Sequence, residues 1–103
     1  MPDFAHPFTG NRCERKLTKD ELIRAIRYNI AAEYEAIQLY MQLAESIDDK
    51  LAREILTDVA NEERQHVGEF LRLLHYLDPE EQTFYDQGKK EVEEEMEKLG
   101  IKK

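Results

Sequence analysis

Between Thr18 and Leu77 the apolar residues fall into two runs that step alternately by four and three, meeting at Asp48-Asp49. Ile26, Ile30, Glu33, Ile37, Tyr40, Ala44 and Ile47 make the first seam. Ala52, Leu56, Val59, Glu63, His66, Phe70, Leu73 and Leu77 make the second. This spacing keeps side chains on one face of an α-helix and suits packing along a nearly parallel or antiparallel neighbour. Two long helices joined by a very short turn are antiparallel neighbours, so the chain is expected to be a helical hairpin.

Local signals set the bounds of these helices. Thr18-Lys19-Asp20-Glu21 is a capping box that starts the first, which is expected to run to about Ile47. Asp48 and Asp49 are N-cap residues for the second, which is expected to reach Leu77. Asp78-Pro79-Glu80-Glu81 then offers a cap, a proline at the first helical position and early acidic residues for a shorter third helix. That helix carries Phe84 or Tyr85, Val92, Met96 and Leu99 at a rough helical period, is weakened by Gly88 and stops at Gly100. Its run from Glu91 to Glu97 reads as a solvated face. Residues 1–17 hold Pro2, Pro7 and Gly10 without helical period and read as an extended arm, with Phe4 and Phe8 available to lie along a neighbouring surface. The domain is then 18–103, all-α.

Three seam positions are polar in a way that implies chemistry. Glu33 precedes Asp48 by 15 residues and Glu63 follows it by 15. In an antiparallel hairpin the two carboxylates therefore share one height, about 22 Å from the turn. His66 lies one turn beyond Glu63 on the same face. No Lys or Arg occupies either seam. The buried carboxylates must be protonated, reached by a flanking arginine such as Arg27, or bound to a cation. A carboxylate-rich set with one imidazole suits iron or manganese, and the absence of thiolates argues against structural zinc. The competing explanation is a polar cluster that merely fixes helix register. Tyr40, seven residues after Glu33, is either a core tyrosine or a group placed to hydrogen-bond a ligand or approach the metal.

Composition narrows the partners. A formal net charge of -8 argues against a nucleic-acid surface and for cations. No apolar stretch nears the ~18 residues of a membrane span, and Met1-Pro2-Asp3-Phe4 lacks signal-peptide order, so a soluble intracellular protein is expected. The single Cys13 makes no intrachain disulfide and reads as a bystander, as does the isolated His6.

The ligand count also speaks to assembly. Ferritin-like di-iron bundles take a Glu from each of two helices and a Glu-x-x-His from each of two others, and this chain has half of that set. Two copies about a two-fold axis would complete it. A second apolar stripe on each helix supports such pairing: Leu22, Ala25, Ala32, Ala36, Leu39 and Leu43 on the first, Ala60, Val67, Leu71 and Leu74 on the second. An obligate dimer or larger assembly is expected.

Glu33-Tyr34-Glu35-Ala36-Ile37-Gln38-Leu39-Tyr40 together with Asn61-Glu62-Glu63-Arg64-Gln65-His66 resembles the encapsulated ferritins, half-length ferritin-like proteins packaged in encapsulin nanocompartments. The likeness spans roughly Ile26 to Leu99. It implies a ferritin-like four-helix bundle completed by dimerisation. Across that dimer would lie a di-iron ferroxidase site held by Glu33, Glu63 and His66 and flanked by Tyr40. It also implies dimers closing into a ring of five, a decamer, inside a cytoplasmic encapsulin shell. Glu35 matches an acidic metal-access position of the family, and Glu62, beside the Glu-x-x-His motif, is a second candidate metal-entry residue. Ala32 stands where another acidic residue is often found, and Leu39 replaces a Trp seen in some members. The chain stops at Gly100-Ile101-Lys102-Lys103 where family cargo proteins carry a shell-targeting peptide, as in a truncated chain or a domain fused to a shell protein.

The expected reaction is oxidation of Fe(II) to Fe(III) by O2 or peroxide, with Glu63 bridging and Glu33 and His66 terminal. A rubrerythrin-like peroxidase is the enzymatic rival, although one cysteine cannot build the rubredoxin-type iron site such enzymes use for electrons. A helical adaptor with a structural metal is the non-enzymatic rival.

Overall fold

The computed structural model describes Arg12 and residues 14–103. Phe4, His6, Phe8 and Cys13 of the expected arm lie outside the described residues. The described part is all-helical: α1 Lys19–Glu45, α2 Lys50–Leu77 and α3 Pro79–Lys98.

α1 starts where its capping box requires. The Glu21 N–H donates to Thr18 Oγ1 at 3.2 Å, and the Thr18 N–H donates to Glu21 Oε1 at 2.9 Å. Arg15 adds a two-pronged pair to the Glu21 carboxylate, at 2.7 and 2.6 Å. Arg15 and the backbone of Thr18 together hold Glu21 down at about 2. The helix ends at Glu45, two residues before the expected Ile47. There the Ser46 hydroxyl donates back to the Gln42 carbonyl at 2.7 Å and its N–H turns to Leu43. Such back-bonding by serine competes with continuing the helix. Asp49 then caps α2 by accepting from the Ala52 N–H at 2.8 Å.

α3 follows α2 after one residue, Asp78, with Pro79 at its first position. Asp78 does not supply the expected side-chain cap; its carboxylate instead lies 3.8 Å from Arg27. At the far end Gly100 has φ +71°, and the Ile101 N–H reaches the Met96 carbonyl at 2.8 Å. This is the left-handed stop that a glycine permits.

The core is the line where α1 meets α2. Ile23, Ile26, Ile30, Ile37 and Ala44 are buried on α1, and Ala60, Val67 and Leu74 on α2, with Ala60 and Leu74 fully buried at 0% exposure. On α1 the expected seam holds. On α2 the contact is rotated from the expected seam: Ala60, Val67 and Leu74 of the outer stripe are buried, while Leu56, Val59, Glu63, His66 and Phe70 are only partly covered. Phe70, Leu71 and Leu77 pack against the margin of this core.

The molecule is drawn out rather than compact. It measures 54 × 45 × 19 Å with a radius of gyration of 17.9 Å, against about 13 Å for a compact chain of this length. Leu39, Leu43, Leu51, Ile55 and Leu73 remain exposed on the hairpin, and α3 buries none of its residues. No helix among the described residues is long and apolar enough to cross a membrane.

Candidate metal centre

Glu33 stands one turn before Ile37, and Glu63 one turn before Val67. At about 100° per residue, each carboxylate is rotated ~40° off its helix's buried line. His66, next to Val67, is rotated about 100° off that line on α2. All three converge at the edge of the hairpin contact, where each offers one ligand atom and these atoms lie within 4.8 Å of one another. His66 Nδ1 is 3.7 Å from Glu33 Oε2 and 3.6 Å from Glu63 Oε2. These separations exceed a hydrogen bond and leave room for an ion among the three.

The depth of the groups differs in a telling way. The Glu33 and Glu63 side chains are 20% and 18% exposed, and that of His66 is 46% exposed. Glu33 Oε2 is itself buried and accepts no hydrogen bond. An acceptor-only carboxylate oxygen withdrawn from water without a donor is costly. Arg27, one candidate to relieve it, is committed elsewhere: it pairs with Glu81 at 2.8 Å, near the base of α3. A cation or a proton remains to balance the two carboxylates. Two hard oxygen donors and one imidazole within reach of a single point fit a divalent first-row metal such as iron. Three protein ligands also leave coordination positions open.

Glu35 and Glu62 are not among the three grouped residues. Tyr40 is half-buried on α1, displaced from Glu33 by about 10 Å along the axis, with its side chain leaning back toward the helix start. Glu35 is half-buried and Glu62 exposed. No other group of three or more His, Cys, Asp or Glu side chains suited to a metal occurs among the described residues.

A second polar cluster escaped sequence reasoning. Arg27 of α1, His75 of α2, and Glu81 and Tyr85 of α3 meet at the base of α3. Arg27 and Glu81 are 54 residues apart, and no local spacing announces their contact.

Comparison with known proteins agrees with the geometry. The family model described as rubrerythrin matches residues 25–102. The chain is 48% identical over 89 residues to a ferritin-like–encapsulin shell fusion protein of Pyrococcus furiosus, covering 86% of this chain and 26% of that protein. It is 46% identical over 67 residues to the encapsulin nanocompartment cargo protein EncC of Myxococcus xanthus, covering 65% of this chain and 52% of that one. It thus spans about a quarter and about half of the lengths of these two relatives. The crystal structure of the encapsulated ferritin domain from Pyrococcus furiosus superposes with a TM-score of 0.82 at 42% identity, over 98% of this chain and all of that one. A helical hairpin with a Glu, Glu, His cluster at its open edge, matched over nearly its whole length by that domain, belongs to the rubrerythrin family and, within it, to the encapsulated ferritins.

Proposed function

We propose that two copies of this chain pair through the open face of the hairpin and form a di-iron ferroxidase site, each contributing Glu33, Glu63 and His66. The observation that carries this reading is the position of the cluster. It sits at the edge of the α1–α2 contact, on a hairpin that leaves Leu39, Leu43 and Leu73 exposed, with Glu33 Oε2 lacking any donor. A half-set of ligands on an apolar face is completed by a second copy of itself.

Fe(II) is the substrate. Its oxidation passes one electron per ion to O2, four ions and four protons giving two waters, or to peroxide, two ions and two protons giving two waters. Glu63 would be the ligand shared between the two ions, and Glu33 and His66 would each hold one. The carboxylates favour the more highly charged Fe(III) product, as hard anionic oxygen donors do. His66 binds through a neutral nitrogen, so metal uptake and loss of any imidazolium proton are coupled. Tyr40 flanks the site, Glu35 and Glu62 serve metal access, and the acidic surface concentrates cations near it. The unburied residues of α3 supply contacts between dimers, which close into a ring, a decamer. A ring encloses no mineral of its own, so ferric product passes to a surrounding encapsulin shell in the cytoplasm.

The match to the rubrerythrin model supports a second reading, a di-iron peroxidase. Anaerobic titration with Fe(II), followed by O2 or by peroxide, separates the two. Ferroxidase function predicts saturable Fe(II) binding and rapid Fe(III) formation with O2, both lost in Glu63→Ala and His66→Ala. Sustained reduction of peroxide at the expense of an added electron donor, beyond the equivalents of iron present, supports the peroxidase. Undiminished oxidation in both variants contradicts either enzyme and leaves a helical adaptor.

A further inference from the structure

α3 leaves α2 through a single residue, Asp78 (φ −138°, ψ 86°), and none of its own residues is buried. It packs on α2 but not on the backbone of α1. From α1 the side chain of Arg27 reaches it, its Nη2 and Nε donating to the two oxygens of Glu81 at 2.8 and 3.2 Å. One turn further along α3, the Tyr85 hydroxyl donates to Glu81 Oε2 at 2.7 Å. The Tyr85 ring meets His75 of α2 edge to face, with centroids 5.1 Å apart. Beside them lies an open cleft of about 190 Å³ lined by Arg27, Ile30, Ala31, Tyr34, Leu74 and Tyr85, so close packing does not wedge α3 in place.

Exposed ion pairs usually constrain little. This one is two-pronged, its carboxylate is only 15% exposed, and a third hydrogen bond from Tyr85 orients it. Its leverage is large: α3 is ~30 Å long, so a ~10° change at Asp78 moves the far end, with Val92 and Leu99, by ~5 Å. We propose that Arg27, Glu81, Tyr85 and His75 form a latch that fixes the angle at which α3 leaves the hairpin, and that this angle selects the size of the assembly. The second half rests on the ring reading given above.

The test is spin-label distance measurement in a Cys13→Ser background, with labels at Arg24→Cys on α1 and Glu94→Cys on α3 and labelled chains diluted in unlabelled ones. One narrow distance distribution is expected, its width roughly doubling in Arg27→Gln or Glu81→Gln as the hinge is freed. The double variant should be no broader than either single one, because both remove the same contact. A control pair at Arg24→Cys and Arg72→Cys, across α1 and α2, should stay narrow throughout. An unchanged α1–α3 distribution in Arg27→Gln, or additive broadening in the double variant, overturns the latch. Native mass then reads the consequence: one assembly size for the parent chain and several for the variants. Broadened distances with an unchanged single size overturn the link to assembly. A parent chain that never exceeds a dimer instead overturns the ring reading.

Discussion

Glu33 carries the clearest physical tension in the molecule, a carboxylate oxygen withdrawn from water with no donor and with His66 Nδ1 3.7 Å away. Replacing it with Gln removes a charge from that position and with it the ligand. The metal-free Glu33→Gln protein is therefore expected to be more stable than the parent by about 1–2 kcal/mol, and to gain no further stability from Fe(II) added anaerobically. Thermal melts with and without the metal check both. A second prediction concerns the base of α3. Hydrogen bonds from Arg27, then from Tyr85, lower Glu81; burial, then the bond to Glu81, pushes Tyr85 up to about 12. A depressed carboxylate stabilises the fold above its ordinary range and ceases to do so as pH falls through its folded value. A raised phenol stabilises below its ordinary value of 10.0 and ceases to do so as pH rises through about 12. The stability difference between the parent and Glu81→Gln, about 1 kcal/mol near neutrality after screening of the half-exposed Arg27, should vanish on strong acidification, as measured by urea unfolding across pH. The matched spacing of Glu33 and Glu63 about Asp48 was legible in the sequence because helical rise is constant. The Arg27–Glu81 pair was not, because it depends on where a third helix swings.

At the scale of elements, caps and punctuation were readable. Thr18 with Glu21, Asp49, Pro79 and Gly100 all act at helix ends where their chemistry places them. What the pattern could not decide was which of the two neighbouring apolar stripes of α2 faces α1, since Ala60, Val67 and Leu74 are no more apolar than Leu56, Val59 and Phe70. The fold settles it by burying Ala60, Val67 and Leu74 and leaving Leu56, Val59 and Phe70 partly covered. The answer matters for the site: with Val67 at the centre of the contact, Glu63 and His66 stand at its edge rather than inside it. Neighbouring leucines make the distinction measurable. Leu74→Ala empties the core and is expected to cost about 2–5 kcal/mol whatever the protein concentration. Leu73→Ala, on the open face, is expected to cost little in a single chain and to weaken self-association instead. Urea unfolding over a range of protein concentrations separates the two.

For the whole molecule, one chain leaves a large apolar surface uncovered. It has exposed leucines on the hairpin, the cluster of Glu33, Glu63 and His66 that could hold a metal, and a third helix with no buried residue. Isolated hairpins are poorly supported, and the proposed pairing would bury this surface against a second copy. The central claim is that Glu33, Glu63 and His66 of one chain are half of a site. Native mass spectrometry of the chain titrated anaerobically with Fe(II) tests it most directly. The claim predicts metal on dimers and their multiples, no metal on monomers, and a shift toward the larger species as metal is added. A stable monomer that carries iron through its own three ligands, at the same metal concentration, would contradict it.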